Sequence, residues 1–159
     1  MAADAGRNRL NPASRAALFA LGIAWTLPNT VLGLVGGAVG LAFGARVRWR
    51  ADDCAVVFQH WPWGPGGALT LGNVILHTGA SLDTDCLTYA HRAGLGNEPG
   101  IRLADHERAH VYQYMVLGPL FLPLYLLCGG VSVRNRFERA ADRYARSGRG
   151  WWPWSRGEG

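Results

Sequence analysis

From Ala16 to Ala45 the sequence AALFALGIAWTLPNTVLGLVGGAVGLAFGA contains no charged residue. As one straight helix it would run about 45 Å, longer than the roughly 30 Å hydrocarbon core of a bilayer. One tilted span fits that length. Pro28 and Asn29 near its middle allow a second arrangement, two short helices forming a re-entrant hairpin. Arginines flank both ends, Arg7, Arg9 and Arg15 before, and Arg46, Arg48 and Arg50 after. By the positive-inside rule this suits a hairpin with both ends cytoplasmic and gives a single span no clear direction. The expected setting is the bacterial inner membrane, with the functional part facing the cytoplasm. A cleaved signal peptide is disfavoured, because its apolar region would be about 7 to 15 residues without a central proline. Gly33, Gly36, Gly37 and Gly40 also suit close helix packing, so a buried helix pair is the alternative.

The rest of the composition agrees with a membrane contact. Of 159 residues, 49% are hydrophobic and 17% charged, with a net charge of +5, which is apolar and charge-poor for one soluble domain. The basic residues are all arginine, but they are scattered and no nucleic-acid-binding fingerprint accompanies them, so a nucleic-acid partner is not expected. Cys54, Cys86 and Cys128 are odd in number and lack CxxC spacing, which argues against a disulfide framework or a cysteine zinc ribbon.

A second apolar stretch, Val111 to Val133, reads VYQYMVLGPLFLPLYLLCGGVSV. Hydropathy alone would make it a span, whereas Pro119, Pro123 and Gly129-Gly130 argue against one uninterrupted helix. Between the two stretches, AVVFQHW (Ala55 to Trp61) and ALTLGNVILHT (Ala68 to Thr78) are rich in β-branched and aromatic residues and predict an antiparallel hairpin joined by PWGPGG. Ser81 to His91 reads as a short helix ended by Gly94, and Ala93 to Gly100 as a loop. The tail SGRGWWPWSRGEG looks unfolded by itself. Its Trp151, Trp152 and Trp154, with Arg149 and Arg156, suit either a membrane interface or packing back onto the domain.

The chemistry concentrates in DHERAHVYQY, Asp105 to Tyr114. Positions four apart share a helix face, so His106 and His110 can offer imidazole nitrogens to one metal about 2 Å away. Glu107, about 100° round the helix, can reach a water on that metal without joining its ligands. Asp105 is placed to cap the helix. By chance HExxH arises in roughly half a per cent of chains with this His and Glu content, so a third ligand decides its meaning. Downstream, NRFERAADRYA places Glu138 and Asp142 on one helical face, with Ala140, Ala141 and Ala145 small enough to admit a second helix. Glu138 can be the third ligand, and Asp142 can accept the free ring N–H of a ligand histidine. Alone, this ExxxD would be ordinary helix surface paired with nearby arginines.

HERAH, an apolar run and then ERAAD resemble the HExxH plus ExxxD pattern of gluzincin-type zinc metallopeptidases, over residues 105 to 145. The resemblance implies Zn²⁺ bound by His106, His110 and Glu138, Glu107 as general base and Asp142 supporting a histidine. It implies an α+β, zincin-like minimal domain with an active-site helix, a second ligand helix and a small sheet. No third histidine follows at metzincin spacing, and Cys86 remains a remote alternative ligand. The corresponding division is a membrane-associated segment over 1–50, a metallopeptidase domain over 51–147 and a Trp/Arg-rich tail over 148–159.

A shared metal constrains the second apolar stretch. The chain must return from His110 to Glu138 within 28 residues, and a span needs about 20 one way. Val111 to Val133 is therefore expected to be a helix end and an apolar turn-back, dipping into the membrane face or packed in the core, with Gly118-Pro119 and Gly129-Gly130 suited to the changes of direction. The site then lies near the membrane surface, with lipid and a peptide or protein substrate as partners. In Ala68 to Thr78, the candidate substrate-pairing edge strand, Leu69, Leu71, Asn73, Ile75 and His77 alternate onto one face, so Asn73 or His77 can face substrate. Tyr112, Tyr144, His77 and His91 are candidate oxyanion donors. His60 is read as a strand-end residue. The rival functions are a catalytically silent metal-binding membrane protein acting as a partner-binding module, and a structural membrane protein with an accidental HExxH.

Overall fold

The computed structural model describes residues 11–64, 66–97 and 99–155 and has an α+β fold. Arg7, Arg9 and Arg156 lie outside the described residues. The uncharged run forms two helices, α1 (Pro12–Trp25) and α2 (Leu27–Ala42), bent by 62° at Thr26. Pro28 falls in the first turn of α2, where its missing N–H removes no helical bond. The result is an elbow, neither a straight span nor a closed hairpin.

The glycines of α2 decide where it packs. Asn29, Gly33, Gly37 and Gly40 are its buried face. A Cβ at Gly33 would stand 2.6 Å from the Val74 Cβ, and one at Gly40 would stand 2.5 Å from Trp61, so the helix backbone lies directly on the sheet. The Trp61 indole N–H donates to the Gly36 carbonyl at 3.0 Å. On the opposite face Leu32, Val35 and Val39 are exposed. Half of the buried-pair alternative is therefore realised, and the other half of α2 presents bare aliphatic surface.

The sheet contains β1 (Arg46–Arg50), β2 (Ala55–Gln59), β3 (Ala68–Leu71) and β4 (Val74–His77) in the order β1-β2-β4-β3. The β1–β2 and β3–β4 pairs are antiparallel, while β2 and β4 run parallel. The expected antiparallel hairpin between residues 55–61 and 68–78 does not form. Gly72, at φ +63°, and Asn73 make a two-residue turn that folds the second segment on itself, leaving β3 as an edge strand. One sheet face packs Val57 and Ile75 against Leu103, Ala104 and Val111, and the other packs Phe58, Val74 and Leu76 beneath α2.

The predicted helix over Ser81 to His91 shrinks to α3 (Tyr89–Arg92), capped by the Thr88 hydroxyl, which accepts from the His91 N–H at 3.1 Å. Before it, β5 (Asp85–Cys86) pairs with β6 (Ile101–Arg102). The long helix α4 (Leu103–Leu117) starts two residues before Asp105, so Asp105 is not its cap. Instead the backbone N–H groups of Leu103 and Ala104 donate to the Thr84 and Leu82 carbonyls, both at 3.0 Å. Asp105 pairs with Arg108 at 3.0 Å. Fully buried Asp53 accepts from Arg50 and Arg108, tying the β1–β2 turn to α4.

Leu103–Leu127 is long and apolar enough to cross a membrane by length and composition, but Gly118, at φ +53° and ψ −129°, breaks its helical path. A 3₁₀ turn over Gly118–Leu120 leads to α5 (Phe121–Leu127), which Gly129 and Gly130 end with φ of +110° and +57°. Asn135 then caps α6 (Arg136–Ser147) while its amide donates to Tyr125 and Gly130 carbonyls at 3.1 and 2.7 Å. The turn-back thus occurs at both glycine positions. The tail folds back, with the Trp154 ring 5.5 Å from Phe137 and the Arg143 guanidinium donating to the Gly150 carbonyl at 3.1 Å.

Contact between α2 and the sheet makes a specific stability prediction. A Cβ at Gly37 would fall inside the buried Phe58 ring, whereas one at Gly36 meets only Leu76 Cδ1, at 3.3 Å. Gly37→Ala is expected to lower stability by about 1–2 kcal/mol despite better helix propensity, while Gly36→Ala is neutral or better. Thermal unfolding of the two variants beside wild type in one detergent checks the difference.

Candidate metal centre

Helices α4 and α6 bring His106, His110 and Glu138 together in the interior. The three side chains are buried, and one ligand atom from each lies within 4.8 Å of the others. The small Ala109 on α4, with Ala140 and Ala141 on α6, is fully buried and allows this approach. His106 Nε2 is 3.2 Å from His110 Nε2 and 3.1 Å from Glu138 Oε2, and His110 Nε2 is 3.6 Å from the same oxygen. A tetrahedral ion with bonds of 2.0–2.1 Å spaces its ligand atoms by about 3.3 Å. The triangle fits such an ion, and the group can bind a metal.

The surrounding hydrogen bonds set which atoms face the centre. His106 Nδ1 lies 3.0 Å from Asp142 Oδ1, so its N–H donates to that carboxylate. Gln113 donates through Nε2 to the carbonyls of Trp151 at 2.8 Å and Phe137 at 3.3 Å, which turns its Oε1 toward His110 Nδ1 at 2.8 Å. Both histidines thereby carry their proton on Nδ1 and aim an Nε2 lone pair inward. The Tyr125 hydroxyl donates to Glu138 Oε1, leaving Oε2 for the centre.

Three lone pairs converging in a buried place require a positive charge between them. Burial opposes charge on His106, but hydrogen bonds to Asp142 and Glu138 outweigh it and raise its pKa well above 6.5. The same competition, won by the Glu138 carboxylate, raises His110. Burial would raise Glu138, yet the two histidines hold it well below the usual carboxylate range. A proton fills the charge requirement where no metal ion does.

Glu107, buried on α4, accepts from the Thr70 hydroxyl of β3 at 2.6 Å. A cleft of about 60 Å³ lies at His106 and Glu107, and Gly67, Ala68, Cys86, Tyr89 and Arg92 also line it. Burial first, then Glu138 and Glu107, push the Tyr89 hydroxyl up to about 12, so it remains a proton donor at neutral pH.

Several sequence candidates lie elsewhere. Asn73 occupies the β3–β4 turn and donates to the Cys54 carbonyl at 2.8 Å, because the Gly72-Asn73 turn ends the alternation that would have aimed it at substrate. His77 is buried with its ring nitrogens 2.9 and 3.0 Å from the Gly67 and Ser81 carbonyls, so it braces the cleft wall from behind. Tyr112 and Tyr144 meet edge to face at 5.8 Å, and Tyr112 also contacts Trp151. One and two-thirds turns after His106, Tyr112 lies on another face of α4. Cys86 lines the cleft but is not one of the clustered ligands. His60 is an exposed strand-end residue at φ +53°. Thr70, Gln113, Tyr125 and Tyr89 were not among the expected site residues. Only Gln113, three residues after His110 on α4, carried a local signal.

Because the folded-state pKa values of His106 and His110 are raised, their contribution to stability is fully present below pH 6.5 and lost as pH rises through those values. The depressed Glu138 value acts oppositely, with stability lost only as pH falls below the usual 4.5. Chelator-treated protein should therefore melt at lower temperature as pH increases above 6.5, and added Zn²⁺ should remove that slope. Melting curves at several pH values, with chelator or with zinc, test this. The chain matches no family profile, curated protein or solved structure, so its function is read from the site itself.

Proposed function

We propose that this chain is a membrane-associated zinc metallopeptidase of minimal size, related in its working parts to the gluzincins. The observation that carries the proposal is the convergence of His106 Nε2, His110 Nε2 and Glu138 Oε2 at 3.1–3.6 Å beside a cleft that holds Glu107. Two imidazoles and one carboxylate suit zinc and leave its fourth position for water or substrate. When bound there, zinc polarises a scissile carbonyl and acidifies water. Glu107 accepts a proton from the attacking water and returns it to the leaving amine. Thr70 holds one oxygen of Glu107 and leaves the other for that exchange. Tyr89 or Arg92, which also line the cleft, supplies a donor to the developing oxyanion.

A peptide is the substrate class favoured by the neighbouring sheet edge. With β3 at the end of the strand order, an extended segment can add beside it. The cleft of about 60 Å³ has room for a few waters and not for a bulky side chain, so the substrate backbone runs along the rim.

The membrane assignment rests on the exposed apolar surface. Between Leu18 and Phe43 thirteen large apolar residues are exposed, and Val116, Leu120, Leu126, Leu127 and Val131 extend that character at the far end of α4 and α5. Contiguous exposed apolar surface of this kind marks interaction or membrane sites. The site occupies the opposite, N-terminal end of α4, so α1, α2 and α5 dip into one leaflet and the ligands stay near the cytoplasmic interface.

Glu107→Gln is expected to keep one zinc per chain while lowering peptide hydrolysis by about 10²–10⁴-fold. His110→Ala and Glu138→Ala should lose the metal. Elemental analysis of detergent-purified protein, paired with mass-spectrometric detection of cleavage in a peptide library, tests both halves. Bound zinc without Glu107-dependent cleavage would make this a silent metal site, and no zinc in wild type would discard the metal reading.

A further inference from the structure

We infer that the groove between α1 and α4 binds one acyl chain of an anionic membrane lipid, with its phosphate at Arg15. This inference rests on the membrane association proposed above, but concerns a site separate from the metal cluster. The groove has a volume of about 1050 Å³, the upper end of the range for small-molecule sites. Arg15, Leu18, Trp25, Met115, Tyr112 and Trp151 are among the residues that line it.

Its direction follows from two close contacts. A Cβ at Gly22 would meet Met115 at 3.0 Å, and one at Gly118 would fall within the Trp25 ring, so α1 and α4 run side by side in the same direction. Arg15 therefore lies toward the catalytic end of α4, and Trp25 and Val116 lie toward its apolar end. From Arg15 to Trp25 is about 15 Å along a helix, close to half the hydrocarbon thickness of a bilayer. A chain anchored at Arg15 would reach roughly the bilayer centre.

Charge and exposure select the occupant. Arg15 is the one charged residue lining the groove, is exposed and forms no ion pair among the described residues. Leu18, Leu21, Trp25 and Val116 are 56%, 65%, 48% and 52% exposed, so the groove opens sideways onto the same apolar surface that continues along α2. An amphiphile arriving from within the leaflet can enter through that side. A polar solute would leave these walls in water. Trp151 and Tyr112 supply the amphipathic rings that favour the headgroup level.

The test uses the full chain and vesicles containing a photoactivatable acyl chain on either phosphatidylglycerol or phosphatidylcholine. Adducts are mapped by mass spectrometry and normalised to vesicle-bound protein. The expected result is adducts at Leu18, Met115 and Val116, favouring phosphatidylglycerol. Arg15→Gln should reduce that preference about fivefold, and Leu18→Trp should displace groove adducts without lowering zinc content. Adducts spread evenly over Leu32, Val35 and Val39, or no headgroup preference in the groove, would overturn the lipid site while leaving membrane association intact. Failure of the protein to sediment with either vesicle would overturn the membrane reading and this site with it, whereas zinc content reports separately on the metal centre.

Discussion

The fold is organised around a charge requirement: three buried lone pairs, from His106, His110 and Glu138, point at one place. Left without a cation they would repel at about 3 Å in an environment that cannot solvate them. Either a proton or a metal ion must join them. The nearby hydrogen bonds bias the choice toward an ion with several bonds, because Asp142 and Gln113 fix both Nδ1 protons and Tyr125 occupies the outer oxygen of Glu138. One proton can bridge only one pair of the three inward atoms at a time. A divalent ion can engage all of them.

Holding those atoms together dictates the path of the chain between them. Helix α4 ends where Gly118 adopts a backbone that L side chains rarely take, and the Trp25 ring fills the space a side chain would need. Glycines 129 and 130 end α5, and the buried Asn135 amide fastens that end to the start of α6. The apolar residues exposed along this return path lie away from the ligands. One short segment thus links the two ligand helices of the candidate metal centre and carries exposed apolar surface at its other end.

The central pair of helices was legible because helical periodicity acts over three and four residues and because HExxH needs a specific third partner. The four-residue spacing put Glu138 and Asp142 on one helical face, the company of HExxH made Glu138 a third ligand, and the 28-residue separation required a turn-back for which Gly118 and Gly129-Gly130 offered places. The sheet was harder. Leu69, Leu71, Asn73, Ile75 and His77 alternate as one strand would, so the turn at Gly72-Asn73 was hidden by a pattern valid on either side of it. Asp105 resembled a cap, but the Leu82 and Thr84 carbonyls had already satisfied the helix start. Thr70 and Tyr125 had no local signature: each reaches its carboxylate only after separate elements have packed.

The tail shows how far such a dependence can extend. By composition residues 148–159 look like an unfolded extension, yet the Trp151 carbonyl receives the Gln113 amide at 2.8 Å. That bond, with the longer one to the Phe137 carbonyl, turns the Gln113 oxygen toward His110. Without Trp151 the fully buried amide would lose its better acceptor, at a cost of about 1–3 kcal/mol. Rotation of the amide to recover a partner would put an N–H donor opposite His110 Nδ1 and favour the tautomer whose proton sits on Nε2, inside the metal position. The tail therefore acts on the chemistry through the orientation of one amide, and the tryptophan that receives it also walls the groove along α1. The apolar groove and the ligand tautomer meet at that residue.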